Sequence, residues 1–123
     1  MKIGPLWLKI QIACGDALAM GPGKADLLDA IVAHGSISAA GRALGMSYRR
    51  AWLLVDEMNR CFDPVVVETM KGGGRERGAR VTPAGLAVLD AYRAMERHAA
   101  ALVDHPAYAR LQGHLREAPL ALG

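Results

Sequence analysis

A very tight turn between two helical segments constrains the fold of this chain more than any other feature of its sequence. A helix of barely two turns ends at Gly45, and only Met46 separates that glycine from Ser47, which can cap the next helix. Glycine lets the backbone reverse sharply because it has no Cβ atom to clash. Small alanines on the shorter helix allow the two helices to cross closely. The spacing predicts a helix-turn-helix within residues 35–62.

The helices around this turn have recognisable ends. Apolar residues recur at helical spacing over Lys24–His34, and Gly35 follows in the usual position of a left-handed C-cap. Ser36 or Ser38 can then cap the second helix. The third helix is predicted to start after Ser47 and to continue to about Phe62. Its expected inner face carries Ala51, Val55, Met58 and Phe62.

The segment before these helices is typical of one half-buried strand. Alternate positions are apolar, with a period of two, and they are Leu6, Leu8, Ile10 and Ile12. Gly15 and Asp16 are expected to close this strand. Residues 17–23 are predicted to form a loop that ends in a Gly-Pro-Gly breaker.

A hairpin and a long helix are predicted after the third helix. Residues 65–70 and 79–81 are strand-like, and the glycine-rich, basic residues 71–78 lie between them. Thr82 then caps a helix that has proline at its first position, where proline is favoured. That helix is expected to end between residues 98 and 103.

This order of elements predicts a mainly α fold with a small β-hairpin. It is the layout of a winged helix-turn-helix with an N-terminal strand and a long C-terminal dimerisation helix. The 123 residues, 52% of them hydrophobic, fit a single domain. We expect that domain to cover residues 1–103. Residues 104–123 would form a C-terminal tail, with a short helix between its two prolines.

The exposed start of the third helix offers groups that suit DNA, namely Ser47, Tyr48, Arg49 and Arg50. Arginine can bond bidentately to guanine or grip a phosphate, and a helix N-terminus favours phosphate. The alternative is a solvated arginine pair beside a capping serine. The serines Ser36 and Ser38 are included in the predicted DNA surface.

A second basic element lies in the predicted hairpin tip. Residues 71–80 hold four basic and one acidic side chain, so their net charge of +3 equals that of the whole chain. The predicted DNA contacts here are Lys71, Arg75, Arg77 and Arg80, along the backbone or in a minor groove. A nucleotide cradle is disfavoured because neither phosphate-binding glycine pattern is present. A merely flexible tip remains the alternative.

The long helix carries two apolar stripes. One, with Leu86, Leu89 and Tyr92 or Arg93, is expected to face the domain. The second stripe needs another partner, for which a symmetric copy is the simplest candidate. Its residues, the predicted dimer interface, are Val88, Ala91, Met95, Ala99 and Leu102. The alternative is that the tail folds back and covers it.

Other residue patterns argue against an enzyme or a metal protein. No catalytic motif is present, and no cofactor is predicted. Cys14 and Cys61 lack the paired spacing of zinc ligands and are interpreted as buried thiols of a reducing compartment. Trp52 is expected to pack in the core rather than stack on nucleic acid. The N-terminal apolar run is too short for a signal peptide or a membrane helix, so a cytoplasmic protein is expected.

Three segments together resemble one known family. Residues 35–52, 55–59 and 81–85 resemble the N-terminal DNA-binding domain of the ModE family of molybdate-responsive regulators. The Tyr-x-x-Ala-Trp core starting at Tyr48 is fairly specific, and the resemblance covers roughly residues 6–100. LysR-type regulators share the helix pair and the Leu-Thr-x-x-Gly step but lack that core.

The resemblance implies a winged helix-turn-helix that binds double-stranded DNA as a homodimer. In that family the third helix and the wing meet DNA, and the long helix pairs with its copy. Full-length members also carry Mop domains, which bind molybdate or tungstate. This chain ends at Gly123 without room for them, so we expect neither oxyanion to bind it. A winged-helix protein-interaction module, or a small-molecule or metal sensor acting through the dimer interface, is the alternative function.

Overall fold

The computed structural model describes residues 2–3, 6–70 and 77–122. Its helices are α1 (Pro22–His34), α2 (Ile37–Ala43), α3 (Tyr48–Cys61), α4 (Pro83–Ala99) and α5 (Pro106–His114), with a 3-10 turn over Ala100–Asp104. Its strands are β1 (Lys2–Ile3), β2 (Leu6–Trp7), β3 (Ile12–Cys14), β4 (Ala17–Met20), β5 (Val67–Thr69) and β6 (Ala79–Val81). The predicted fold class, a mainly helical winged helix-turn-helix, is confirmed.

The N-terminal segment differs from the single strand that its sequence predicts. The burial alternates as expected, but the segment pairs as two separate hairpins, β1 with β2 and β3 with β4. The predicted loop at 17–23 is also wrong, because the chain reverses at Gly15 (φ 58°) and β4 returns along β3. The strand forms because Ala19 and Met20 bury their side chains in the core. Its sequence has no β-branched residue to indicate a strand.

The helix caps follow the predicted pattern. Gly35 adopts the left-handed conformation (φ 76°) after α1. Hydroxyl oxygens of Ser36, Ser47 and Thr82 accept hydrogen bonds of 3.0, 3.1 and 3.0 Å from the third backbone N–H beyond each of them. Each cap satisfies a backbone donor that the helix cannot pair internally, and so fixes where α2, α3 and α4 begin.

The turn between α2 and α3 is as tight as predicted. Gly45 has φ 71°, and the Met46 amide donates to the Gly41 carbonyl at 2.8 Å. A Cβ atom on Gly41 would lie only 3.0 Å from the Cβ of Ala51. The two helices therefore cross as closely as their small side chains allow.

The wing, which is formed by β5, β6 and the residues that flank them, is hydrogen-bonded to the helices on both of its sides. The Asn59 side chain, on α3, accepts from the amide of Val66 at 2.9 Å and donates to the Val67 carbonyl at 3.0 Å. On the other strand, the amide of Ala79 donates to the Gly35 carbonyl at 2.8 Å. These bonds join the base of the wing to α3 and to the end of α1.

Helix α4 packs on the domain partly through the predicted stripe, since Leu89 and Tyr92 are buried as expected. Its buried residues are Gly85, Leu89, Tyr92 and Glu96. The prediction that Leu86 faces the domain is wrong, since its side chain is 49% exposed. Gly85 takes the inward place instead, because only glycine fits against the wing backbone there. Arg93 lies at the edge and pairs with Asp26 at 2.8 Å.

The tail forms the predicted short helix, α5. Tyr108 is buried beside Leu6, and its hydroxyl oxygen accepts from the Leu6 amide at 3.1 Å. The tail therefore packs on β2 and contacts Ala99 at the end of the second stripe of α4, while Met95 remains 46% exposed. In the described ranges, no helix combines the length and the apolar character needed to cross a bilayer.

The junction between the wing and α4 yields a stability prediction. A Cβ atom on Gly85 would lie 2.2 Å from the carbonyl oxygen of Val66 and 2.7 Å from Val81 Cγ1. Backbone must shift to admit it, so Gly85→Ala should lower the free energy of unfolding by about 2–4 kcal/mol. Urea denaturation followed by circular dichroism measures this loss.

The matched control is Gly113→Ala, in α5. No atom lies within 4 Å of a Cβ placed there, and alanine has the higher helix propensity, so stability should be unchanged or slightly raised. Equal stability of the Gly85→Ala variant and the parent protein would contradict the close approach of α4 to the wing.

Candidate nucleic-acid interface

The N-terminal end of α3 is an exposed surface with a capped helix start. Ser47 is exposed and its hydroxyl caps the helix, while Arg49 and Arg50 are exposed on the first turn. Buried residues of α3 begin at Ala51 and continue along its inner face. The helix is therefore anchored by one face, and its first turn carries the cations outward.

Tyr48 stands against Trp52 one turn further along α3. Their ring centroids are 6.2 Å apart, and the ring planes meet at 70° in an edge-to-face arrangement. Both side chains are half-buried, and Trp52 packs against the core, as predicted. The contact restricts the Tyr48 ring at the edge of the exposed surface.

The serines of α2 lie inside the fold. Ser36 and Ser38 are each only 6% exposed. The Ser36 hydroxyl caps α2, and the Ser38 hydroxyl oxygen accepts from Arg42 Nη1 at 2.8 Å. Both hydroxyls are therefore engaged within the domain, and these two predicted contacts are not part of its exposed surface. A sequence motif does not separate such capping serines from surface ones.

The wing is only partly described. Lys71 and Arg75, two of the predicted contacts, lie outside the described residues. Arg77 is half-buried at the start of the returning strand segment. Arg80 is exposed on β6 and pairs with Glu68 across the hairpin, with Nη2 2.8 Å from the carboxylate. The Glu68 pairing neutralises part of the charge that the sequence assigns to the wing.

The base of the wing lies beside the helix pair. Gly78 forms a β-bridge with Ser36, the residue that caps α2. A Cβ atom on Gly78 would approach Met70 Cγ to 3.0 Å, so the two sides of the wing are close there. The base of the wing therefore adjoins the N-terminal cap of α2, in addition to its bonds to α3 and to the end of α1.

A buried lysine on α1 joins α3 to the β3–β4 hairpin. Lys24, near the start of α1, is 3% exposed. Its ammonium donates to the Leu18 carbonyl of β4 at 2.5 Å and forms an ion pair with the Glu57 carboxylate of α3. The hydrogen bond from Lys24, and then its charge, lower the pKa of the Glu57 carboxyl from its ordinary value of 4.5. The sequence pattern does not indicate that Lys24 is buried, because its partners lie on two other elements.

The predicted dimer stripe lines an open apolar groove. Ala91, Met95 and Leu102 are exposed, while Val88 and Ala99 are half-buried. Ile10, Met95, Ala99 and Leu102 border a groove of about 830 Å³ between α4, the 3-10 turn and the chain before β3. Val88 packs against the main core and Ala99 against Leu6 and Tyr108, so the open part of the stripe is formed by Ala91, Met95 and Leu102.

The prediction that both cysteines are buried is wrong. Cys14 is exposed at the end of β3, beside the tight turn, and Cys61 is half-buried at the end of α3. Among the described residues there is no group of three or more His, Cys, Asp or Glu side chains suited to holding a metal ion.

Comparison with known proteins identifies relatives over most of this chain, although no family model matches it. It is 36% identical over 96 residues to the molybdenum-pterin-binding protein MopA of Rhodobacter capsulatus, covering 78% of this chain and 36% of that protein. It is 34% identical over 87 residues to the DNA-binding transcriptional dual regulator ModE of Escherichia coli (strain K12), covering 71% and 32%.

A solved structure is also similar. The full-length LTTR LysG from Corynebacterium glutamicum gives a TM-score of 0.47 at 29% identity, over 80% of this chain and 31% of that one. The chain spans about a third of the length of the curated relatives it matches. The resemblance to the ModE family that the sequence indicates is confirmed over that shared segment.

The buried ion pair yields a pH prediction. Because the pKa of Glu57 is lower in the folded chain, its ionised form stabilises the fold above pH 4.5, and the effect is lost as the pH falls through the lowered value. The parent protein should therefore be more stable than Glu57→Gln near neutral pH, and the gap should shrink in acid. Urea denaturation of both proteins, from neutral pH to below pH 4.5, measures this difference in the free energy of unfolding.

Asp56→Asn is the control on the neighbouring position. Asp56 pairs with Arg60 where both side chains are 63% exposed, so its loss should have little effect at any pH. A stability gap for Glu57→Gln that stays constant from neutral pH into acid would contradict a role for the ionised carboxylate.

Proposed function

We propose that this chain is a sequence-specific, double-stranded DNA-binding transcriptional regulator, with the start of α3 in the major groove. The single observation that carries the proposal is the outward pair Arg49 and Arg50 on a capped helix N-terminus that follows a tight helix-turn. Similarity to ModE-type regulators over most of the chain supports it.

Ion pairing separates these two arginines from several others. Arg60, Arg80 and Arg93 each pair with carboxylates of this chain. Arg49 and Arg50 form no ion pair with another described residue, and both are exposed. Their charges are therefore not neutralised by the described part of the chain, and their N–H donors are accessible to base edges or phosphates.

The wing supplies the second proposed contact. Its base adjoins the cap of α2, so its basic residues would follow the DNA backbone or enter a minor groove while α3 lies in the major groove. Arg77 is the described residue that we assign to this contact. Lys71 and Arg75 remain predictions from the sequence.

We propose that DNA is bound by a homodimer formed through α4. Met95 and Leu102 of the apolar stripe are exposed along an apolar groove, which His105 and Pro106 of the tail border without covering them. A symmetric copy would bury this surface in both chains. Several relatives carry names that refer to molybdenum, and that property is theirs. That molybdate and tungstate do not bind this chain stays a prediction from its sequence.

The DNA contact can be tested with arginine variants after operator sequences are selected from random duplexes. Arg49→Ala and Arg50→Ala should each weaken binding by about 1–3 kcal/mol, because each removes a charged donor from the groove surface. Fluorescence anisotropy on the selected duplex and on single-base variants measures affinity and discrimination.

Arg60→Ala is the matched control, since it removes a cation from the other end of α3 and should leave affinity nearly unchanged. Relaxed base preference for an arginine variant would assign that residue to base reading, and a uniform loss would assign it to phosphate. Full retention of the chain's cellular activity after charge reversal at Arg49 would instead favour a protein-interaction module.

The dimer can be tested on the stripe itself. Met95→Glu and Leu102→Glu place a charge in the proposed apolar contact and should shift the protein from dimer to monomer, because a buried unpaired carboxylate is strongly unfavourable. Analytical ultracentrifugation over a range of protein concentrations measures the change.

Val32→Glu is the control, because Val32 is an exposed apolar residue on α1, 57% accessible and outside the stripe. It should leave the dimer intact. A parent protein that sediments as a monomer at micromolar concentration would reject the proposed dimer without bearing on the role of Arg49 and Arg50.

A further inference from the structure

A small cleft lies beside the exposed first turn of α3. Its volume is about 260 Å³, and it is bordered by the segment before β3, the start of α1 and one side of α3. Lys9 and Gln11 line it from that segment, and Arg50 lines it from α3. Its volume is below the roughly 300–1,000 Å³ of small-molecule sites, so the cleft suits a single chemical group rather than a whole metabolite.

The segment that carries Lys9 is fixed at the next residue. The carbonyl of Ile10 accepts a hydrogen bond of 2.8 Å from the hydroxyl of Tyr92 on α4, and the Ile10 side chain packs against the core. Lys9 and Gln11, on either side of it, are exposed. Because side chains alternate along an extended segment, both lie on its outer side.

The walls of the cleft are held together by packing and by a buried charge. A Cβ atom on Gly21, the residue before α1, would lie 3.9 Å from Gln11 Cγ and 3.7 Å from Leu18 Cδ2. The ammonium of Lys24 donates to the Leu18 carbonyl and pairs with Glu57 of α3. The three walls therefore keep one arrangement in the folded chain.

The cleft carries an excess of positive charge. Glu57 balances the charge of Lys24. Lys9 and Arg50 form no ion pair with a residue of the described ranges, and the described residues that line the cleft include no carboxylate. The start of α1 adds partial positive charge, because no side chain caps it at Gly21. Two unbalanced cations around so small a space favour one anionic group.

Arg50 and its neighbour Arg49 point in different directions from α3. Successive residues are roughly 100° apart around a helix axis. Arg50 lines the cleft, whereas Arg49 does not. A helix that lies in the major groove nearly fills its width, so the sides of the helix face the phosphate backbones that border the groove. The cleft lies on one such side of α3.

We propose that this cleft binds one backbone phosphate of DNA, held by Lys9, Gln11 and Arg50. The site presupposes the DNA-binding function proposed above and gives its two arginines different roles. Arg50 holds the phosphate, and Arg49 contacts base edges. The two cations attract the phosphate by charge, and the Gln11 amide donates a neutral hydrogen bond. The DNA surface therefore extends from the helix-turn-helix to the segment before β3.

The test removes the cation at Lys9, which is exposed and outside the helices. Lys9→Gln should weaken binding to the selected duplex by about three- to tenfold at low salt, and equally on its single-base variants, since phosphates carry no sequence information. The slope of log affinity against log salt should become shallower by about 1. Fluorescence anisotropy over a series of salt concentrations measures both. Arg110→Gln, which removes an exposed cation of α5, is the control and should change neither.

Duplexes with one neutral backbone position locate the contact. Each duplex carries a single uncharged methylphosphonate in place of a phosphate. At one position, this change should weaken binding of the parent protein by about three- to tenfold but hardly affect Lys9→Gln, because the cation that meets that phosphate is already absent. Arg50→Lys keeps a cation in the cleft and should retain the base preference of the parent protein.

Failure of this site and failure of the DNA function give different results. A parent protein that binds no duplex rejects both. Duplex binding that requires Arg49 but is unchanged in Lys9→Gln at every salt concentration overturns the phosphate site alone. An altered base preference in Arg50→Lys overturns it by assigning Arg50 to base reading. If duplex binding is unchanged in Lys9→Gln, but inorganic phosphate raises the thermal midpoint of the parent protein and not of this variant, the cleft binds a free anion instead.

Discussion

One buried ammonium group holds together the parts on which this fold depends. Lys24 projects from the first turn of α1 into a space where it is almost inaccessible to water, and a cation there is tolerated only when it is paired. Its partners are the Leu18 carbonyl on the hairpin and the Glu57 carboxylate on α3. Three elements must therefore keep one mutual arrangement. That arrangement positions α3 through its buried middle, while Arg49 and Arg50 on its first turn stay exposed.

A second constraint acts on the wing and is independent of charge. Thr82 donates its hydroxyl proton to the Val65 carbonyl at 2.6 Å and accepts from the Gly85 amide, so one side chain joins the strand segment to the start of α4. Gly85 lies so close to the Val66 carbonyl that no larger residue fits. The wing is consequently fixed to α4 as well as to α1, so a partner bound to α4 would be rigidly coupled to the surface that we propose for DNA.

The sequence predicted those features whose causes are local. Gly35, Ser47 and Thr82 act through their own backbone neighbours, so the helix boundaries and the tight turn could be located from spacing alone. Features with distant causes were missed. Residues 17–20 form a strand only because β3 is there to pair with them. Lys24 is indistinguishable in sequence from a solvated lysine at a helix start, because its partners lie on two other elements.

The same distinction applies to the candidate site. Serine hydroxyls near helix starts suit DNA and suit caps equally well, and in Ser36 and Ser38 the fold uses them internally. Arginines differ because a guanidinium group seldom stays unpaired inside a fold without cost, so exposure combined with the lack of an internal partner separates surface-acting arginines from structural ones. Arg80 is an exposed cation on the wing, but its charge is partly neutralised by the ion pair with Glu68. The position of a residue in a motif indicates a candidate contact. The ion pairs and hydrogen bonds of the folded chain then show which candidate side chains already have partners and which have donors available for DNA.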